Sequence, residues 1–452
     1  MVLTHAHRAV IGLGLLTLAA CSGSGSSAPD APSVTSAVGV KQLLFNWGSV
    51  PGADLYRVKE NPDGASGFSQ TGADLTAGQT SYRVDVAVHR QDWQNARYLV
   101  EACNTHGCAD SADISFAGSA NAAIGYFKAA NNGSGDHFGA TMAVSADGNT
   151  LAVGAPQEGS GATGVNGDAS LNNAASAGAV YIFTRNGVGT WTQQAYIKAS
   201  NTEAGDLFGN AVTLSGDGTT LAVGAYKEDG PDSGINGTNQ ALNTATDAGA
   251  VYVFTRDGVG TWTQQAYVKA SNTGAGEQIG YAVALSSSGG TLAAGAPYED
   301  TSITDSGAVY LYTRDGTGVW SQQAMVKAAN TGAGDNFGRA LALDDGGDTL
   351  VVSAPGEDSA ATGIGGDPAD NSINGAGAAY VFTRDAADAW SQSTYLKATN
   401  PDTNDAFGIS VAVNGDGGTV AVGADLEDGS ATGIDGDESD NNSNAAGAAY
   451  LY

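Results

Sequence analysis

A long internal repeat constrains this chain more than any other feature. A Phe-Gly or Ile-Gly dipeptide heads each of five copies, and successive dipeptides are 70, 71, 58 and 70 residues apart. The dipeptides begin at Phe138, Phe208, Ile279, Phe337 and Phe407. Repeats of this length are typical of proteins in which one supersecondary unit is stacked many times. The repeat therefore determines the architecture expected for residues 121–452.

Each copy contains four runs with the character of β-strands. In the second copy they are Ala211–Leu214, Thr220–Ala225, Ala248–Arg256 and a run that starts at Trp262. A Gly-Asp-Gly turn separates the first two runs, as in a hairpin. Four antiparallel strands in a repeat of this size predict one blade of a β-propeller.

The two ends of the array predict how the ring closes. Residues 450–452 complete the third strand of the fifth copy, and no fourth strand follows them in the sequence. Residues 125–131 align with residues 195–201, which end the fourth strand of the first copy. We expect this N-terminal strand to complete the last blade and remove the open edges. The prediction is an all-β fold with a five-bladed propeller of twenty strands.

The copies resemble FG-GAP repeats, which form the blades of the integrin α-subunit head and occur in many bacterial surface proteins. The resemblance rests on the Phe-Gly dipeptides, on Val153-Gly-Ala-Pro156 and its variants, and on Gly-Ala-Val-Tyr. The integrin head has seven blades, whereas five copies are counted here. The resemblance implies adhesion or ligand recognition, often with calcium.

The N-terminus predicts export. Residues 1–20 suit a signal peptide: Arg8 is followed by an apolar run from Ala9 to Ala20, which is too short to span a bilayer. Leu18-Ala-Ala-Cys21 resembles a bacterial lipobox, which implies lipidation of Cys21 and an anchor in the outer membrane. Residues 21–30 are then a flexible tether.

Residues 31–118 predict a separate β-sandwich. Short alternating runs include Leu43–Trp47, Leu55–Val58, Ser81–Val88 and Tyr98–Cys103. Their spacing resembles a fibronectin type III domain, a family that supplies mostly spacers and partner-binding modules. Four residues separate Cys103 from Cys108, and an exported chain favours a disulfide between them. A zinc site is the alternative, but His106 is the only imidazole nearby.

The charge balance excludes some partners. Asp and Glu number 47 against 18 Lys and Arg, a net charge of −29, which opposes binding to nucleic acid or to anionic lipid. Most bases of the repeats recur at equivalent positions, so we expect them to pair with acids of the fold. They are Lys128, Lys198, Lys269, Lys327, Lys397, Arg185, Arg256, Arg314 and Arg384.

The loop between the second and third strands is the candidate calcium site. Calcium needs several oxygen ligands, and the shorter hairpin turns are reduced to an Asp-Gly dipeptide, or to Ser288-Gly289 in the third copy. The alternative is that these acids only keep a long surface loop solvated. The candidate ligands are Glu427, Asp428, Asp435, Asp437 and Asp440 in the fifth copy and Glu357, Asp358, Asp367 and Asp370 in the fourth.

Non-catalytic recognition of an envelope protein or glycan is the predicted function. A glycoside hydrolase would need paired carboxylates in different environments, whereas the copies are near-duplicates. A lectin is the other alternative, because one tryptophan per copy could stack on sugars. Those tryptophans are Trp191, Trp262, Trp320 and Trp390.

Overall fold

The computed structural model describes residues 27–438 and 440–452 and divides the chain into two compact units, residues 1–126 and 127–452. The predicted signal peptide and Cys21 lie outside the described residues. In the described part of the chain, no helix is long and apolar enough to cross a membrane.

Two antiparallel sheets pack face to face in the first unit. Its strands are β1 (Val34–Gly39), β2 (Gln42–Trp47), β3 (Leu55–Asn61), β4 (Ser69–Thr76), β5 (Ser81–Asp85), β6 (Arg97–Asn104), β7 (Gly107–Asp110) and β8 (Ile114–Ser115). One sheet has the order β1-β2-β5 and the other β4-β3-β6-β7, with β8 also paired to β6. Apolar side chains from both sheets form one core, in which the rings of Trp47 and Tyr56 lie 5.4 Å apart.

The details of this unit differ from the sequence prediction at one strand. The strand expected over residues 81–88 ends at Asp85, and Val88–Arg90 form a 3-10 helix. A second 3-10 helix spans Ala120–Ala123. Cys103 and Cys108 are joined by a disulfide between β6 and β7.

The second unit consists of five antiparallel sheets, numbered here 1 to 5 in chain order. Sheets 1 to 4 have four strands each, in sequential order, and sheet 5 has three among the described residues. Sheet 1 contains β9 (Thr141–Val144), β10 (Thr150–Ala155), β11 (Ala179–Arg185) and β12 (Trp191–Ile197), and sheet 2 contains β13 (Ala211–Leu214), β14 (Thr220–Ala225), β15 (Ala250–Arg256) and β16 (Trp262–Val268). Sheet 3 contains β17 (Val283–Leu285), β18 (Thr291–Ala296), β19 (Ala308–Arg314) and β20 (Trp320–Val326), and sheet 4 contains β21 (Leu341–Leu343), β22 (Thr349–Ala354), β23 (Ala378–Arg384) and β24 (Trp390–Leu396). Sheet 5 contains β25 (Ser410–Val413), β26 (Val420–Ala424) and β27 (Ala448–Leu451).

The dipeptides of sheets 2 to 5 each dock on the preceding sheet. Phe208 is fully buried and forms a parallel bridge with Gly178, just before β11. Gly178 has φ 82°, and a Cβ there would lie 2.1 Å from the Phe208 carbonyl oxygen. Only glycine tolerates both the backbone conformation and the contact. First strands of successive sheets also contact one another, so the sheets follow one another through a continuous series of cores.

The expected closing strand is not formed. Residues 125–129 adopt no strand, and β27 pairs with β26, so the repeats contain nineteen strands instead of twenty. Phe127 instead packs its ring 5.2 Å from that of Phe183 in sheet 1. A strand needs a neighbour for its backbone N–H and C=O groups. In the described structure these residues pair with no neighbouring strand, so the twentieth expected strand is not observed there.

Candidate functional site

A buried glutamate follows the second strand of every sheet. In sheet 2, Glu228 is 1% exposed and accepts a hydrogen bond from Lys269 Nζ at 2.8 Å. Lys269 lies just beyond the fourth strand of the same sheet and is itself 0% exposed. Equivalent ion pairs are Glu158–Lys198, Glu299–Lys327 and Glu357–Lys397. The predicted structural role of these four lysines is therefore confirmed.

An asparagine from the preceding sheet joins each of these pairs. Asn201, which follows β12 of sheet 1, donates from Nδ2 to Glu228 at 2.8 Å. Its Oδ1 accepts the hydroxyl of Tyr252 at 2.6 Å. The same two bonds are made by Asn131, Asn272, Asn330 and Asn400. In sheets 2 to 5 one asparagine thus links the last strand of one sheet to the next sheet, whereas Asn131 makes the same bonds from a segment that forms no strand.

The repeated tryptophans form a second link between sheets. Trp262 is 3% exposed, and its indole N–H donates to Gln194 of the preceding sheet at 3.0 Å. Trp320 and Trp390 make the same bond to Gln265 and Gln323. A buried tryptophan has no free face for a sugar, so Trp262 and Trp320 do not support the lectin alternative. Three of the arginines expected to pair with acids stack on tryptophan rings: Arg256 on Trp262, Arg314 on Trp320 and Arg384 on Trp390. Arg384 also pairs with Asp348.

Burial shifts several pKa values in this network. It lowers the pKa of Lys198, Lys269 and Lys397, and the glutamate in each pair opposes the shift. Burial also raises the pKa of Asp206 to about 7, with the charge of Glu228 adding to the effect. Asp335 of sheet 4 is raised to about 6 for the same reason. Burial therefore disfavours the charged form of these two acids, which ionise at higher pH than an exposed aspartate does.

The candidate calcium ligands of sheet 4 are occupied by other contacts. Glu357 bonds to Lys397, Asn330 and Tyr395. The other three each accept a backbone N–H of the loop: Asp358 from Gly375, Asp367 from Ala369 and Asp370 from Ser372. These bonds organise the loop, and each of the three aspartates is bound to a different backbone N–H group.

The candidate ligands of sheet 5 lie around one cavity of about 730 Å³. Glu427, Asp435 and Asp437 line it, together with Glu438, which the sequence analysis did not single out. Asp428 instead accepts the N–H of Ala445, and Asp440 bonds to Ser430 and Asn442. Carboxylate oxygens suit a hard cation such as calcium.

No carboxylate group in the described residues is already assembled as a metal site. The one group of three close His, Cys, Asp or Glu ligand atoms there is Glu101 with Cys103 and Cys108, and both cysteines are in the disulfide. The zinc alternative therefore has no free thiol in this loop.

Sequence reasoning missed a cluster formed by Tyr226, Tyr281, Tyr298 and Arg339. The ring of Tyr281 lies 5.2 Å from that of Tyr226, and the Arg339 guanidinium lies 4.4 Å from its centre. These residues interrupt the repeat: where copies three and four have Tyr281 and Arg339, the others have Ala140, Asn210 and Ile409. Departure from the repeat was the signal that could have identified them.

Comparison with known proteins identifies the repeats. The family described as "FG-GAP repeat" matches residues 191–254, 262–312, 320–382 and 390–452, together 241 of the 452 residues. Each match begins at the fourth strand of one sheet and ends in the third strand of the next. A search of curated proteins finds no match.

Three solved structures with fibronectin type III domains are among the similar ones. The crystal structure of FN3tt is 19% identical and covers 20% of this chain and 95% of its own, with a TM-score of 0.16. An Fn3-like protein from Clostridium thermocellum is 20% identical and covers 19% of this chain and 86% of its own, with a TM-score of 0.15. The fn3 domain of human collagen alpha-1(XX) chain is 18% identical and covers 25% of this chain and 99% of its own, with a TM-score of 0.18.

The buried pair in sheet 2 yields a stability prediction. Glu228→Gln leaves the Lys269 ammonium buried without a counter-charge, so unfolding free energy should fall by about 3–5 kcal/mol. The double variant Glu228→Leu with Lys269→Met should recover most of this loss, because neither charge is then buried. Urea denaturation followed by circular dichroism measures both. Asp300→Asn, which alters an exposed acid of sheet 3, is the control; equal effects of Glu228→Gln and Asp300→Asn would contradict the assignment.

Proposed function

The chain belongs to the FG-GAP repeat family, and from this membership we propose that it is a non-catalytic recognition protein of the bacterial cell envelope. The four matched repeats are the observation that supports the proposal, because such repeats suggest an extracellular recognition or adhesion role. The proposed partner is an envelope or matrix protein, or a glycan. The proposed attachment is a lipid on Cys21 in the outer membrane.

The network between the sheets is consistent with a scaffold for recognition. Its lysines and glutamates are buried and bonded to each other, so they are not available to a substrate or ligand. Binding energy must then come from residues that differ between the copies, since these alone give the surface a particular chemistry. A rigid support of this kind favours binding because little ordering entropy is lost.

A binding experiment tests the proposed function. The full chain is applied to a mixed array of glycans and matrix proteins, first with calcium and then with EDTA. We expect saturable binding to one ligand class without release of any product. Chemical turnover of a bound glycan would instead support the hydrolase alternative, and binding to nothing on the array would contradict the recognition role.

Closure of the ring is a further part of the proposal. Sheet 5 is the one described sheet in which the buried glutamate, Glu427, has no lysine partner. Lys128 aligns with Lys198, yet it is exposed while Lys198 is 0% exposed. Asn131 already makes to Glu158 and Tyr181 of sheet 1 the two bonds that, in the other sheets, come from the asparagine just after a fourth strand. We infer that residues 127–130 pair with β27 in the closed ring and bring Lys128 to Glu427.

Removing the lysine tests closure. If Lys128 is the partner of Glu427, Lys128→Met should lower the free energy of unfolding by about 3–5 kcal/mol, because the carboxylate is left buried and alone. Lys227→Met removes a lysine that is in no ion pair among the described residues and is the matched control. Urea denaturation measures both variants. A Lys128→Met variant as stable as the control would show that the ring does not close through this pair.

Calcium is proposed for sheet 5 alone. With Glu427 paired to Lys128, the remaining ligands are Asp435, Asp437 and Asp440 of the same loop. The loop must rearrange to bring these three carboxylates together around one ion. Because calcium would bind this folded loop and not the unfolded chain, it should stabilise the folded state measurably. We expect calcium to raise the melting temperature of the full chain and Asp437→Asn with Asp440→Asn to abolish that shift. The control is Asp367→Asn with Asp370→Asn in sheet 4; an unchanged shift in the sheet 5 variant would remove this site.

A further inference from the structure

The cluster around Tyr281 lies where several departures from the repeat meet. Tyr226 follows β14, Tyr298 comes two residues after β18, and Tyr281 and Arg339 each precede a first strand, β17 and β21. First strands of neighbouring sheets are in contact. Residues next to the same end of these strands are therefore brought together from sheets 2, 3 and 4.

The aromatic rings and cations of this cluster contact one another. The ring of Tyr281 lies 5.2 Å from that of Tyr226 and 6.5 Å from that of Tyr298. The Arg339 guanidinium lies over Tyr281, and the Lys227 ammonium is 5.9 Å from the centre of the Tyr226 ring. All five side chains are partly accessible to solvent.

Arg339 is a partly buried cation without a carboxylate partner among the described residues. Among the described residues its guanidinium is in no ion pair, although the chain has 47 acids for 18 bases. Burial lowers the pKa of Arg339, and no carboxylate there compensates for the lost hydration. Stacking on Tyr281 uses the face of the guanidinium, whereas its N–H donors lie in its plane and suit a carboxylate.

A shallow cavity of about 330 Å³ adjoins the arginine. Tyr298, Asn336, Arg339, Pro355, Ile409 and Leu426 line it. This volume is at the lower end of the range that holds small-molecule ligands. The lining combines apolar surface with one cation and a few polar groups, which is the usual composition of such sites.

We propose that this cluster binds a carboxylated sugar in the cavity, with Arg339 contacting the carboxylate and Tyr298 contacting the sugar ring, while Tyr281 holds the Arg339 guanidinium in place. The proposal rests on the recognition function proposed above and names its ligand class. A sugar ring has an apolar face and hydroxyl edges, which match the apolar body and polar tip of tyrosine. An acidic peptide side chain could use Arg339 but would leave the Tyr298 ring in the cavity without a role.

Titration calorimetry of the full chain with trigalacturonate tests the proposal. Arg339→Gln should weaken binding about 10- to 100-fold, because a charged bidentate contact is lost. Arg314→Gln is the matched control, since it also removes a guanidinium stacked on an aromatic ring, that of Trp320. The neutral methyl ester of trigalacturonate should bind the wild type as weakly as trigalacturonate binds Arg339→Gln. Near-ultraviolet circular dichroism checks that both variants are folded.

Five results would overturn the proposal. Equal affinity of Arg339→Gln and the wild type for trigalacturonate would exclude the site, as would an equal loss in Arg314→Gln. Arg339-dependent binding of a glutamate-rich peptide without binding of trigalacturonate would replace the sugar by a peptide. If the wild type binds another arrayed ligand and Arg339→Gln binds it equally, the site fails while the recognition function stands; binding to nothing contradicts both.

Discussion

The hydrogen bonds of one asparagine per sheet are the interaction on which the repeat array depends. Asn201 and its equivalents bridge a buried Glu–Lys pair and a buried tyrosine of the following sheet. Removing such charges from water is costly unless every polar atom finds a partner. The asparagine supplies that partner from a neighbouring sheet, so each sheet completes the polar core of the next.

This dependence makes the ends of the array different from its middle. Trp191 of sheet 1 has a buried indole N–H without a hydrogen-bond partner in the described structure, whereas Trp262, Trp320 and Trp390 bond to the preceding sheet. At the other end Glu427 has its asparagine but no lysine. A buried charge without a counter-charge destabilises the fold. The proposed contact with Lys128 would give Glu427 the counter-charge that it lacks in the described structure.

The same network separates structural residues from candidate ligand residues. Side chains that recur in every copy bond to one another, and the side chains of the Tyr281 cluster are among those that do not recur. Repetition alone therefore could not locate a binding site in this chain. The acidic loops illustrate the difficulty: those of sheets 4 and 5 have similar composition, and acids of both bond to separate backbone groups, yet in the described structure only in sheet 5 do three of the candidate carboxylates line one cavity.

The sequence by itself determined the number of copies, the order of the strands within each copy, and the structural role of four of the repeated lysines, because these follow from local periodicity and from recurrence. Tertiary structure alone decided which asparagine meets which glutamate, that Trp262 and Trp320 are buried, and that residues 125–129 form no strand. It also gathered Tyr226, Tyr281, Tyr298 and Arg339 from three sheets. Such contacts join residues far apart in the chain, and their distances depend on how successive sheets pack, which no local pattern of side chains encodes.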